Sequence, residues 1–265
     1  MKYIVPILLI FISFQQQVFS QQGPIETDRP DQTESPSIVP KKWIQMETGF
    51  TKQADRYQPS FTRVYWFHHP TLLTKYGVGK RFELRLITEL STYKEKDDTR
   101  VYYKTGISAV ELGGKLNLCK EKGWRPKTSL IAHYEFGHLR TLFHDTIDGL
   151  NFRFTMQHTL SSKLSLGYNL GMRWELFKYY PPAFVYTFAP GYSISEKWYA
   201  YVEAFGSIWK DSSPENNIAG GAAFNVNDNF KIDASGGIGI SKEAPAYYFS
   251  LGASIRFKTS KSLLQ

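Results

Sequence analysis

Alternation of apolar and polar residues is the feature of this sequence that most limits its fold. In the stretch YYFSLGASIRF near the C-terminus, Phe249, Leu251 and Ile255 fall in one set, and Ser250 and Arg256 fall in the other. Successive residues of a β-strand point to opposite sides, so such a strand has one apolar face and one polar face. The same period recurs through most of the chain after residue 42 and predicts an all-β protein.

The pattern predicts twelve strands, and most of them reach the roughly 9–11 residues that a tilted strand needs to cross a bilayer. Strands of soluble proteins are shorter, at about 5–6 residues. An even count fits a single-chain transmembrane barrel, and closure leaves no unpaired backbone edge in lipid. Pro70 predicts a break in the second strand, since proline cannot donate to a ladder. The predicted strands lie near 43–52, 60–78, 82–93, 105–119, 127–137, 149–160, 164–176, 182–194, 198–209, 216–226, 230–240 and 246–257.

The connections between the predicted strands alternate in length. Short turns are predicted at 79–81, 161–163, 195–197 and 227–229, and longer polar loops near 94–104, 138–148, 178–182, 210–215 and 241–245. Short periplasmic turns and longer extracellular loops are typical of an outer-membrane barrel. The segment 120–126 is an exception, because it is long where a short turn is expected.

Aromatic residues make up 16% of the chain, and many lie near predicted strand ends. Two aromatic girdles at the membrane interfaces would give this distribution. A large soluble β-sandwich would show the same alternation but shorter strands, and it is the alternative fold. The predicted girdle residues are Trp43, Phe82, Tyr192, Trp198 and Tyr199 near the short turns, and Tyr102, Tyr103, Trp174, Phe177, Tyr179, Tyr180, Trp209, Tyr247 and Tyr248 near the long loops.

The N-terminus predicts export. Lys2 precedes an apolar run over residues 3–14, which is too short to span a bilayer as a helix. Residues 1–20 therefore predict a signal peptide cleaved near Ser20-Gln21, with a retained anchor as the alternative. The predicted location is the outer membrane of a Gram-negative-type cell. The single cysteine excludes an internal disulfide, and the net charge of +8 is scattered, which argues against a nucleic-acid partner.

If the apolar faces meet lipid, the polar faces line the lumen, where charges avoid the cost of facing lipid. Both signs occur in this set, so it predicts either a conduit with binding groups or a lumen stabilised by ion pairs. A twelve-stranded barrel lies between small barrels filled by side chains and wide porins, which predicts a narrow path. The predicted lumen-lining residues are Glu83, Arg85, Glu89, Glu111, Lys115, Glu135, Arg153, Arg173, Glu175, Glu203 and Arg256.

A polar N-terminal segment, 21–42, precedes the predicted barrel of 43–257, and a tail of 258–265 follows it. The segment contains TDRPDQTESPSIVPKK, whose prolines disfavour helix and sheet. Asp28, Arg29, Asp31 and Glu34 could pair with lumen charges of opposite sign. The segment therefore predicts a plug that folds into the lumen, and a disordered periplasmic tail is the alternative.

Catalytic and cofactor signals are weak. The histidines lack the spacing of a zinc site, and no metal or other cofactor is expected. A strand histidine beside a hydroxyl, His158-Thr159, is the only feature that suggests a membrane-embedded hydrolase, and a G-x-S-x-G elbow is absent. No catalytic residue is predicted.

The stretch ETDRPDQTESPSIVPKKWIQMETGF, residues 26–50, resembles the opening of outer-membrane proteins of the phenol-degradation meta-pathway (MetA-type) family. The C-terminal GGIGISKEAPAYYFSLGASIRF, residues 236–257, resembles their final hairpin. The resemblance implies a membrane β-barrel that transports small, aromatic or hydrophobic compounds. It implies no catalytic residues.

Taken together, these patterns predict a passive transporter or channel for small solutes. The alternatives are a non-transport barrel with a structural or surface-interaction role and, less favoured, the hydrolase. The expected partners are the lipid bilayer, the barrel-assembly machinery and a small-molecule solute of unknown identity, with no nucleic acid.

Overall fold

The computed structural model describes residues 23–56, 63–142, 147–176 and 181–259. In these residues the chain forms twelve antiparallel strands that close into a barrel, which confirms the predicted fold. The strands are β1 Trp43–Ala54, β2 Arg63–Gly77, β3 Phe82–Lys96, β4 Val101–Cys119, β5 Lys127–Glu135, β6 Gly149–Thr159, β7 Leu164–Glu175, β8 Ala183–Ser193, β9 Trp198–Ile208, β10 Glu215–Asn227, β11 Phe230–Gly239 and β12 Tyr247–Lys258.

Each strand pairs with its neighbours in the chain, and β1 pairs with β12 to close the barrel. The closing ladder runs from Trp43 opposite Lys258 to Ala54 opposite Tyr247. A 3₁₀ turn at Gly137–Leu139 lies between β5 and β6. Within the described ranges, no helix is long and apolar enough to cross a membrane. The predicted signal peptide lies outside the described residues.

The second strand is continuous through Pro70, so the predicted break is wrong. The pairing of β2 with β3 shifts register between His68 and Thr71, and the pairing with β1 shifts between Gly49 and Thr51. A bulge is the place where a strand accommodates a residue that cannot donate to the ladder. The strand therefore bends at Pro70 and does not end there.

One connection differs from the prediction, and the segment 120–126 is a long connection as predicted. The predicted loop 94–104 is mostly strand, because β3 extends to Lys96 and β4 starts at Val101. The remaining turn is held by Asp97, whose Oδ1 accepts the N–H groups of Thr99 at 2.7 Å and Arg100 at 2.6 Å. These hydrogen bonds lower the pKa of Asp97. The long segment 120–126 folds back as a turn with Trp124 fully exposed.

The two faces of the strands reverse the pattern of a soluble protein. On the apolar face, Val202 and Leu251 are 61% and 50% exposed. On the polar face, Lys115 and Thr155 are fully buried. Exposed apolar side chains in a continuous band suit contact with acyl chains, and buried polar side chains suit an enclosed polar interior. The apolar faces therefore form the outer surface of the barrel.

The aromatic girdle prediction needs correction at three residues. Trp43 and Tyr248 are buried on the inner face, and Tyr199 stacks on the buried Tyr201 with 6.3 Å between ring centroids. Their parity along the strand, and not their position near a strand end, decides which side they face. Phe177, Tyr179 and Tyr180 lie outside the described residues. Exposed rim aromatics are Phe82, Tyr102, Tyr103, Trp174, Tyr192, Trp198 and Tyr247.

Candidate functional site

Residues 23–42, here called the luminal segment, lie inside the barrel. Ile25 donates its backbone N–H to Asp228 in the β10–β11 turn at 2.9 Å, and Lys41 bridges to Gly77 at the end of β2. Both ends of the segment thus lie at the rim that carries the short turns, the periplasmic rim of such a barrel. Between these ends, its hydrogen bonds and ion pairs reach β1 to β9, β11 and β12.

Asp28 is the most highly coordinated acid of the luminal segment. Its Oδ2 accepts from Lys75 Nζ at 2.9 Å and from Arg85 Nη1 at 2.8 Å, and its Oδ1 accepts from Lys115 Nζ at 2.9 Å. Burial alone would raise the pKa of Asp28, but the charges of Lys115, Lys75 and Arg85 outweigh it and hold that pKa well below its usual value. The carboxylate therefore stays ionised inside the barrel.

Arg85 also binds a second acid of the segment. Its Nη2 donates to Glu34 Oε2 at 2.7 Å, while its Nε donates to His133 Nε2 at 3.0 Å. Arg153 lies 3.8 Å from the other oxygen of Glu34. One guanidinium on the wall thus holds two carboxylates that are six positions apart in the segment.

Arg29 carries the opposite charge to a neighbouring part of the wall, beyond β1. Its Nη2 donates to Asp233 Oδ1 at 3.1 Å on β11 and to Ser250 Oγ at 2.9 Å on β12. Gly49 and Gly252 face each other across β1 and β12, and a Cβ at either position would overlap the Arg29 guanidinium. The absence of side chains at this pair therefore makes room for Arg29.

The tip of the segment binds β7, β8 and β9. Thr33 Oγ1 donates to Glu203 Oε1 at 2.6 Å and lies 2.7 Å from Thr187 Oγ1, while the Gln32 N–H donates to Glu203 Oε2 at 3.0 Å. Asn169 accepts the N–H of Glu34 at 2.7 Å and donates to its carbonyl at 3.0 Å. These contacts satisfy the backbone of a segment that has no secondary structure of its own.

The return of the segment to the rim is held by both backbone and side-chain contacts. Ser129 Oγ donates to the carbonyl of Pro36 at 2.6 Å, and the Val39 N–H donates to Glu83 Oε2 at 2.6 Å. A Cβ at Gly77 would overlap the carbonyl oxygen of Pro40, so glycine permits this close approach. The segment then enters β1 at Trp43.

The predicted lumen-lining residues divide by what they contact. Those that contact the luminal segment are Glu83, Arg85, Lys115, Arg153, Glu203 and Arg256, the last donating to the carbonyl of Gly23 at 2.9 Å. Of the predicted segment residues, Asp28, Arg29 and Glu34 pair with wall charges, whereas Asp31 makes no ion pair among the described residues.

The remaining predicted residues lie toward the long-loop end. Glu89 contacts His68 at 2.9 Å, Glu111 lies 3.3 Å from His133, and Glu135 binds Arg140 at 3.2 Å. Arg173 and Glu175 occupy positions on β7 opposite Asn151 and Gly149. Glu111 is joined through His133 to Arg85 of the cluster that engages the segment, while the other groups lie nearer the opposite rim.

Several residues of the site were missed from the sequence: Glu47, Lys75, His133, Thr187, Asp233 and Ser250. The signal was present for three of them, because His133 shares parity with the predicted Glu135, Asp233 with Lys231 and Ser235, and Ser250 with the predicted Arg256. Lys75 was hidden because the bulge at Pro70 interrupts the alternation along β2.

His158 lies on β6 beside Tyr168, with ring centroids 5.9 Å apart, and its Nδ1 is 4.0 Å from Glu121. The neighbouring Thr159 hydroxyl donates to Glu121 at 2.8 Å. The hydroxyl next to His158 in sequence is thus bonded to a carboxylate. Among the residues that the structure describes, no group of three His, Cys, Asp or Glu side chains could hold a metal ion.

Comparisons with known proteins agree with this architecture. The family model described as "Putative MetA-pathway of phenol degradation" matches residues 27–257, which confirms the resemblance seen in the sequence. No curated protein matches the chain.

Among solved structures, an outer membrane channel from Pseudomonas putida F1 superposes with a TM-score of 0.65 at 10% identity, covering 86% of this chain and 99% of that one. The transport unit of the autotransporter AIDA-I from Escherichia coli gives 0.51 at 9%, covering 83% and 91%. The KdgM porin gives 0.50 at 9%, covering 80% and 99%. At these identities the likeness shows the fold.

Proposed function

The chain belongs to the family described as "Putative MetA-pathway of phenol degradation", and on that premise we propose that it is a passive outer-membrane channel gated by its luminal segment. In the docked state, residues 23–42 fill the periplasmic part of the lumen. Solute passes when the segment leaves the wall. The structures of like fold include an outer membrane channel and a porin, which supports the channel proposal.

The observation that carries this proposal is the set of contacts of Asp28. A carboxylate from a segment outside the strands binds cations on β2, β3 and β4 at 2.8–2.9 Å. A tail that merely preceded the barrel would not place a buried acid among three buried cations, because burying charges is costly unless they are paired.

The chemistry of these contacts also explains how the segment could leave. Its buried apolar side chains include Ile25 and Val39, while its other described contacts with the wall are mainly hydrogen bonds and ion pairs. Water or a polar solute can replace such contacts on both partners. The free-energy difference between the docked and released states is therefore set mainly by polar contacts with the wall against polar contacts with water or solute.

A reversible cross-link tests the gate. Thr33 and Thr187 have hydroxyl oxygens 2.7 Å apart on the segment and on β8, so a disulfide between cysteines at these positions is geometrically reasonable. The double variant Thr33→Cys/Thr187→Cys would be made with Cys119→Ser, to remove the native thiol. Conductance of single channels would be recorded in planar bilayers before and after reduction.

We expect low conductance when the cross-link is oxidised and a reversible increase when it is reduced. The Cys119→Ser protein with only Thr33→Cys is the matched control and should not respond to reductant. Equal conductance in the oxidised and reduced double variant would contradict gating by the segment. Liposomes that fail to swell with any small solute, even after reduction, would instead favour a structural or surface-interaction role.

Export also belongs to the proposal. Residues 1–20 would direct the chain across the inner membrane and be removed near Ser20-Gln21. N-terminal sequencing of the protein purified from outer membranes would test the position of cleavage.

A further inference from the structure

We infer that Lys75, Arg85 and Lys115 form a binding site for small organic carboxylates, and that Asp28 and Glu34 of the luminal segment occupy this site as built-in competitors of the solute. The inference rests on the proposed gating function and deepens it by giving the solute class. A carboxylate that binds the three cations would replace the acids of the segment and favour the open channel.

The three cations are built into neighbouring strands. Lys75 on β2 lies opposite Arg85 on β3, and Lys115 on β4 lies opposite Glu83 on β3. All three cationic side chains are buried, with relative exposures of 0–2%. Their positions are fixed by strand register, so the cluster stays in place when the segment moves.

The wall supplies fewer acids than cations at this cluster. Glu47 pairs with Lys75, and Glu83 pairs with Arg85 at 3.1 Å. Asp28 and Glu34 come from the segment and complete the pairing. When the segment leaves, two wall carboxylates face three cations, and the site attracts an anion from solution because unpaired charges in a confined interior are costly.

The geometry of Arg85 favours carboxylates. Its Nη1 binds Asp28 at 2.8 Å while its Nη2 binds Glu34 at 2.7 Å. A planar guanidinium presents N–H groups in a fork that matches carboxylate oxygens. Because two separate carboxylates fit here at once, a solute with two such groups can replace both acids of the segment.

Competition follows from this overlap. A solute that binds only the released state multiplies the ratio of released to docked protein by one plus the solute concentration divided by its dissociation constant. The open probability of the channel should therefore rise with carboxylate concentration and saturate. A neutral molecule of the same shape should have no such effect.

The test uses the full chain in planar bilayers, with succinate as the probe and succinamide as its uncharged analogue. We expect succinate to raise the open probability saturably, with succinamide inactive. In Asp28→Asn/Glu34→Gln, which keeps the shape of both side chains but removes their charge, the open probability should be high without succinate. The concentration of succinate for half-maximal binding, measured calorimetrically, should fall at least tenfold because the competitor is weakened.

Wall variants locate the site. Arg85→Gln should abolish the response to succinate, and Lys75→Gln provides a second variant should the first fail to assemble. Arg81→Gln is the matched control, because Arg81 is exposed in the β2–β3 turn and bonds to the carbonyls of Asn117 and Leu118. It should respond as the unmodified protein does.

The outcomes separate the two proposals. If the cross-link between residues 33 and 187 controls conductance but succinate and succinamide act alike, the carboxylate site is wrong and the gate stands. An equal response to inorganic phosphate at matched charge would also overturn carboxylate selectivity, leaving a general anion effect. If neither the cross-link between residues 33 and 187 nor the Asp28→Asn/Glu34→Gln substitution alters conductance, the gating function itself is wrong.

Discussion

Arg85 and Asp28 join the barrel wall to the luminal segment through a hydrogen-bonded ion pair of 2.8 Å between Nη1 and Oδ2, with both side chains almost fully buried. The two residues are 57 positions apart in the sequence. This pair, with the bonds from Lys75 and Lys115 to the same carboxylate, makes docking of the segment sensitive to single substitutions.

Removing the carboxylate of Asp28 should release the segment. Asp28→Ala leaves buried cations without their partner, and breaking a buried pair in this way costs about 3–5 kcal/mol. At a factor of ten for every 1.4 kcal/mol, proteolysis of residues 23–42 in the purified barrel should speed up by more than about 100-fold. Glu26→Ala, whose side chain is 58% exposed, is the control and should have a small effect. Equal protection in both variants would show that Asp28 does not hold the segment.

Glu203 should anchor the tip of the segment. Glu203→Ala removes the acceptor of the Gln32 N–H and one of the two partners of Thr33 Oγ1, which keeps Thr187. A donor left buried without a partner costs about 1–3 kcal/mol. Glu203→Gln retains one oxygen acceptor and should be milder. The rate of proteolysis of residues 23–42 would report docking in each variant while Thr33 is kept. An unchanged rate in Glu203→Ala would contradict the anchoring role.

Asp31 should make gating depend on pH. Burial in the lumen, and next the charge of Glu203, raise the pKa of Asp31 well above its usual value. The docked state therefore favours protonated Asp31, and ionisation of Asp31 opposes docking. This loss of docking begins near pH 3.9, about the usual pKa of Asp, and is complete above the raised pKa. The open probability should increase over this window. Asp31→Asn should flatten the increase and favour the closed channel at neutral pH.

Below that window the sign reverses. Burial would raise the pKa of Glu34, but Arg85 outweighs it and lowers that pKa, as the cations do for Asp28. Docking supported by these two acids is lost as pH falls through their depressed pKa values. The channel should thus open at both extremes, and recordings of open probability against pH that show no minimum would contradict this account.

The outer face should tolerate charge only near the rims. Leu251 lies in the middle of β12 and is 50% exposed, and Phe257 lies near its end and is 41% exposed. Leu251→Arg should reduce the free energy of unfolding in bilayers by about 2–4 kcal/mol, and Phe257→Arg by about 0–1 kcal/mol, because the cost of Arg falls from the midplane to the interface. Similar losses for both would show that β12 does not cross the hydrocarbon in this orientation.

The alternation along the strands was enough to predict the barrel, because a residue period of two places every second side chain on the same face whatever its neighbours are. It gave β7 as 164–176, where the structure has Leu164–Glu175. It underestimated β4, since the backbone of Val101–Lys104 pairs with β3 although the side chains there show no apolar alternation. Backbone pairing in a hairpin can therefore continue beyond the residues whose outer side chains contact lipid and must be apolar.

The charges of the segment were also visible in the sequence, as was their capacity to pair with wall charges of opposite sign. Which charges meet was not, because Asp28 and Lys115 are 87 positions apart and their approach depends on barrel closure and strand register. His133 and Thr187 illustrate the same limit. Their parity places both side chains on the inner face, but it does not give their height along the barrel axis.

The sequence by itself determined that this chain forms a closed barrel with an apolar outside and a charged inside, since the periodicity of a strand is a local property. Only the tertiary structure decided that Asp28 lies among Lys75, Arg85 and Lys115 and that Trp43, Tyr199 and Tyr248 face inward. The position of a side chain across a lumen depends on how twelve strands close around it, and no stretch of one strand contains that information.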